Sequence, residues 1–124
     1  MRIYNLIQIK DVFSPHYSEK LSVALSYKIY KLCNVIEQEE KFFNQKRQEI
    51  INDFAQRYEN GQIVVNDKGF VQFEADKVEE AHKMLNDLSA VDVDVPNVKF
   101  KIDELSEIKL SVMDMAVLEP LIDE

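Results

Sequence analysis

Residues Ser18 to Asn60 read SEKLSVALSYKIYKLCNVIEQEEKFFNQKRQEIINDFAQRYEN and contain neither glycine nor proline. Every residue type in the stretch tolerates a helix, and Gly61 stands where a helix would stop. Apolar side chains recur at Leu21, Leu25, Ile29, Leu32, Ile36, Phe43, Ile50 and Phe54. Steps of three, four and seven mark one helical face. Val23, Ala24, Tyr27, Tyr30 and Val35 widen the first half of that stripe. The middle, EQEEKFFNQKRQE, is mostly charged, with Phe42 and Phe43 as its large apolar residues.

Roughly 40 helical residues at about 1.5 Å each span about 60 Å. A compact chain of this length is only about 35 Å across. The helix therefore either folds back as a hairpin near Cys33-Asn34 or runs on and meets another chain. No glycine or proline marks a break, which favours continuity and a homo-oligomer. On that reading Leu25, Ile29, Leu32, Ile36 and Phe43 form the candidate oligomer interface. Tyr27 and Tyr30, beside Lys28 and Lys31, form a candidate binding flank; such rings stack on a base or line a subunit contact.

The chain has 124 residues, enough for a single domain with a core. Its helix-rich part covers about 18–60; the α+β part covers about 61–124 and is joined by an N-terminal strand. The fold class expected is α+β: the long helix, a small and mostly antiparallel sheet, and two shorter helices. No run is long enough to span a membrane, and MRIYNLIQIKDVF lacks the pattern of a signal peptide. A single cysteine, Cys33, excludes an internal disulfide. The net charge of −8 repels phosphates, and the longest basic run is Lys46-Arg47, so direct nucleic-acid binding is not expected. A basic protein partner is compatible with that charge.

The flanks read as follows. RIYNLIQIK, residues 2–10, alternates Ile3, Asn5, Ile7 and Ile9 with Tyr4, Leu6 and Gln8, which suggests a strand. Ser18 is a fair N-cap for the long helix. Ile63–Val65 and Phe70–Phe73 flank Asn66-Asp67-Lys68-Gly69, a hairpin signal with Gly69 available for positive φ. Asp76 and Glu79 read as a capping box for a helix with Ala81, Met84, Leu85 and Leu88 on one face. VDVDVPNVKFKID, residues 91–103, alternates regularly. A reversal at Pro96-Asn97 would pair Val93 with Phe100 and Asp94 with Lys99. The alternative is an extended segment with a bulge at Pro96. Ile108 and Leu110 suggest a last short strand. Ser111 and Asp114 form a second capping box, and Pro120 should stop the helix that follows.

Site chemistry is sparse. His16 and His82 are the only histidines, and His82 with Glu79 makes two ligands without a third. Cys33 lies in the apolar half of the long helix with no local base, as a packed thiol does. Two glycines exclude a phosphate-cradling loop. Asp92 and Asp94 alternate along one strand face, as solvated carboxylates do. No catalytic residue, cofactor or metal is therefore expected.

The order of LSVALSYKIYKLCNVIEQEEKFFNQKRQEII, an acidic helix, VDVDVP and KIDELSEIKLSVMDMAVLEPLI resembles small proteins of tailed bacteriophages of low-GC hosts. The resemblance covers most of the chain, rests on pattern, and brings no functional residues with it. It implies a phage protein in the host cytoplasm or the virion. The expectation is a non-catalytic, self-associating protein that binds a phage or host protein in virion assembly. Two other readings stand beside it. One is an anti-defence inhibitor of a host nucleic-acid enzyme acting through the acidic surface. The other is a small-nucleotide-binding sponge.

Overall fold

The computed structural model describes residues 1–94 and 97–123. Helices dominate: α1 (Ile3–Phe13), α2 (Val23–Phe54), α3 (Val78–Ser89), α4 (Ile102–Leu105) and α5 (Val112–Leu118). Two strands, β1 (Phe100–Lys101) and β2 (Ile122–Asp123), pair in parallel, Phe100 with Ile122 and Lys101 with Asp123. The small, mostly antiparallel sheet expected from sequence is therefore corrected to a helix-rich fold with one short parallel pair.

Three causes account for the difference. First, residues 3–13 form a helix, not a strand. Ile3, Leu6, Ile9, Val12 and Phe13 are buried, a step of three to four that places all five on one helical face. A strand would have set Leu6 opposite Ile3 and Ile9. Packing outweighs the modest helix propensity of the β-branched residues.

Second, the two alternating runs find partners other than each other. Asp92 bridges Arg2 antiparallel, and the Val93 N–H donates to the Met1 carbonyl at 2.9 Å. Phe100 pairs with Ile122, and Lys99 Nζ donates to the Pro120 carbonyl at 2.8 Å rather than meeting Asp94. The proposed reversal involves Val95 and Pro96, which lie outside the described residues. Ile108 and Leu110 form no strand.

Third, the antiparallel pairs that do form are isolated bridges: Ala55 with Phe73, Arg57 with Ile63, Val65 with Val71. They close a ring. The Gln56 N–H donates to Gln72, Val64 to Gln56 and Gln72 to Val64, at 2.8, 2.9 and 2.9 Å. The ring captures the backbone just after Phe54, so α2 ends there and not at Gly61. The Asn66–Gly69 turn is present: Gly69 has φ +82° and its N–H donates to the Asn66 carbonyl. Asn66 Oδ1 also accepts from the Lys68 and Phe70 N–H groups. Gly61, eight residues earlier, has φ +85° and closes the companion turn onto Tyr58.

Helix α2 is continuous over 32 residues, which decides against a hairpin at Cys33-Asn34. Ser22, not Ser18, caps it: Ser22 Oγ accepts from the Leu25 N–H. α3 starts at Val78 without a side-chain cap, so Asp76 does not serve as one. α5 has the expected box, with Ser111 Oγ accepting from Asp114 N–H and Asp114 Oδ2 from Ser111 N–H, both at 3.0 Å.

The chain forms two compact units, residues 1–40 with 92–124 and residues 41–91. The first has a continuous core of Leu6, Ile9, Val12 and Phe13 from α1, Leu25, Ile29, Leu32 and Ile36 from α2, and Phe100, Leu105, Ile108, Leu118 and Leu121 from the C-terminal part. Phe13 and Phe100 meet with ring centroids 5.3 Å apart. In the second, Ile50, Ile51, Ala55, Ala81 and Leu88 are buried, and Phe73 meets His82 edge to face. No helix among the described residues is long and apolar enough to cross a membrane.

Candidate functional site

Helix α2 presents two different faces in the first unit. Leu25, Ile29, Leu32 and Ile36, expected at an oligomer contact, are buried among α1 and the C-terminal elements of their own chain. Phe43 is half-buried in the second unit. Polar ties hold the covered face in place. Lys28 Nζ lies 2.6 Å from Glu104 Oε1, and Glu107 accepts from both the N–H and the hydroxyl of Ser22 at 2.7 Å.

The opposite flank is open. Val23 is 86% exposed, Tyr27 59% and Tyr30 63%. Spacings of four and three put the three on one side of the helix. Lys31 Nζ sits 5.6 Å from the Tyr27 ring centroid, a cation–π arrangement that steadies the ring in water. Between Lys20 and Ile36 there is no acidic residue, although the whole chain carries −8. Glu37, Glu39 and Glu40 follow immediately. Of these charges Lys31 and Glu37 are exposed near the open flank, whereas Lys28 is tied to Glu104 and Glu40 to Lys10.

Around the corner lies a cleft of about 340 Å³, lined by His16, Tyr17, Tyr30, Cys33, Asn34 and Glu37 among others. Burial pushes the Cys33 thiol above its ordinary value, against a smaller opposing pull from Tyr17. Burial likewise pushes the Tyr17 hydroxyl up, helped by the neighbouring Cys33. Both groups stay protonated at neutral pH, which makes Cys33 a poor nucleophile. His16 Nδ1 is taken up by Glu19. Lys10 is paired with Glu40 at 2.9 Å, which raises its pKa. Apart from Glu37, which has no side-chain ion partner among the described residues, these groups are protonated or paired.

The second unit has a groove of about 370 Å³ between α2 and α3. Phe42, Lys46, Glu49, Ile50 and Asp53 share one face of α2; Met84, Asp87 and Leu88 share one face of α3, with Val91 just beyond its end. Ile50 and Leu88 form a buried floor, while Phe42, Met84 and Val91 are open to solvent. The sequence reading saw Met84 and Leu88 on a helical face and Phe42 in a charged run. The spacing 42, 46, 49, 53 was the available signal for the α2 wall.

Among the described residues no group of three or more His, Cys, Asp or Glu side chains is placed to hold a metal. His82 packs on Phe73, and Asp92 lies beside Arg2 in a backbone bridge. No family model, curated protein or solved structure matches the chain.

Proposed function

We propose that the chain is a non-catalytic binding protein that pairs with a second copy of itself through the exposed flank of α2 and works by contacts with other proteins. The observation that carries this is the exposure of Val23, Tyr27 and Tyr30 on the side of α2 opposite its buried face. Large aromatic side chains are enriched at protein interfaces and dominate their energetics. Charge selects the occupant. Two α2 helices laid antiparallel across Asn34 would set the exposed Lys31 of one copy towards the exposed Glu37 of the other. A symmetric pair makes that contact twice. The resemblance to small proteins of tailed bacteriophages supplies the setting, the host cytoplasm or the virion, and assembly of the particle as the task.

Light scattering tests the pairing. At tens of micromolar the wild type should run at about twice its 14.5 kDa chain mass. Tyr27→Ala with Tyr30→Ala should run as a monomer with an unchanged circular dichroism spectrum, since both rings are exposed. A wild type that stays monomeric under these conditions overturns the proposal.

A further inference from the structure

The groove of the second unit combines an apolar floor with an acidic rim, and the two features together define an occupant. Phe42, Met84 and Val91 leave apolar surface in water above Ile50 and Leu88. Three carboxylates, Glu49, Asp53 and Asp87, rim it against one lysine, Lys46. Lys46 donates to Glu49 at 3.3 Å and so is already engaged. Among the described residues neither Asp53 nor Asp87 has a side-chain ion partner. They stand on opposite walls, one on α2 and one on α3.

We propose that this groove docks an amphipathic basic segment of a partner protein, its apolar face on Phe42, Met84 and Val91 and its Lys or Arg residues towards Asp53 and Asp87. Two helices forming a trough present ridges that suit a third helix, read through anchors at i, i+3, i+4 and i+7. Met84 is unbranched and adapts to the anchor it meets. The rim gives the selectivity: it repels an acidic helix of the same apolar pattern and attracts a basic one. The chain as a whole, at −8, adds to that attraction at a distance and makes it sensitive to salt. This deepens the reading of the chain as a protein-binding module and names the partner's chemistry. It uses residues separate from the self-pairing flank.

Methyl NMR on the full chain tests it directly. The protein has four methionines, and of these only Met84 lies in residues 41–91. The probe is a synthetic fourteen-residue leucine–lysine peptide with helical amphipathic spacing. Its counterparts carry glutamate for lysine, or the same residues in scrambled order. The Met84 methyl should shift on addition of the basic amphipathic peptide, with the Met113 and Met115 methyls still. The scrambled and acidic peptides should bind at least tenfold more weakly. Asp53→Asn with Asp87→Asn, both exposed positions, should weaken the basic peptide about tenfold and flatten its salt dependence. Binding that leaves Met84 unmoved, equal uptake of the acidic peptide, or no binding at high micromolar peptide each overturns the inference. Light scattering on the same samples separates it from the self-pairing proposal. A dimer that ignores the peptide sinks only the groove; a monomer that binds it sinks only the pairing.

Discussion

Lys28 Nζ lies 2.6 Å from Glu104 Oε1 and 6.0 Å from the centroid of the Phe100 ring. One ammonium thus ties α2 to a carboxylate at α4 and sits over an aromatic ring of the core. Glu104 Oε1 also accepts from the Lys101 N–H at 3.0 Å. The Lys28 pairing, with the smaller help of that backbone bond, holds the Glu104 carboxyl below the usual carboxylate range. The pair's contribution is therefore complete above the ordinary glutamate value and fades as pH falls through the depressed one. Urea midpoints measured from pH 7 to pH 3 should fall more steeply for the wild type than for Glu104→Gln. Parallel curves for the two would remove the pair from the acid response.

Phe100 is fully buried against Phe13. Phe100→Ala should cost about 3–5 kcal/mol, the range for deleting a buried ring. Asp94 is exposed, and Asp94→Ala should change stability by less than about 1 kcal/mol. Chemical denaturation of the two variants provides the comparison, and similar small effects would mean that the ring is not packed as described.

Ile29 and Ile36 are buried in the first unit. Replacing both by lysine drives two ammonium groups into an apolar core, at a cost of several kcal/mol. The expected result is loss of cooperative unfolding in that unit, seen in near-ultraviolet circular dichroism and methyl NMR of Met113 and Met115. A folded double variant that merely loses its partner would place these residues at an interface instead.

Gly69 has φ +82° with open space where a Cβ would stand. Gly69→Ala therefore meets no clash, and the cost is the left-handed backbone alone, about 1 kcal/mol. Asn66→Ala removes the acceptor of two turn N–H groups and should cost a similar amount. Thermal unfolding of both variants measures this; a neutral Gly69→Ala would imply that the turn relaxes.

Cys33, Tyr17 and Lys10 all hold their protons more tightly in the fold than in the unfolded chain. Stability from these groups is whole at neutral pH and declines as pH rises past 9.0, the ordinary thiol value, towards the raised ones. Urea midpoints should fall between pH 9 and pH 11, and Cys33→Ala should flatten the start of that decline. A thiol reagent at pH 8 should modify Cys33 slowly, at a rate that grows with added urea.

What was legible in the residues themselves was local. A long unbroken helix within residues 18–60 follows from the lack of glycine and proline and from a sustained apolar spacing, while its ends at Val23 and Phe54 do not. The Asn66–Gly69 turn and the Ser111–Asp114 box follow from side chains that bond their own neighbouring backbone. Those interactions need nothing beyond a few residues, so the chain carries them in any context. The exposure of Tyr27 and Tyr30 belongs to the other class. Which side of α2 is covered depends on α1, on Glu104 and on Glu107, whose partners Lys28 and Ser22 lie 76 and 85 residues away. The same holds for residues 3–13. Alternation and helical spacing both fit IYNLIQIKDVF, and burial of Ile3, Leu6, Ile9, Val12 and Phe13 on one face selects the helix. VDVDV and VKFKI have matching faces and charges, yet Met1 and Arg2 occupy one and Ile122 with Asp123 the other. A strand edge accepts whichever backbone the fold brings to it, and that choice is made only when the core closes.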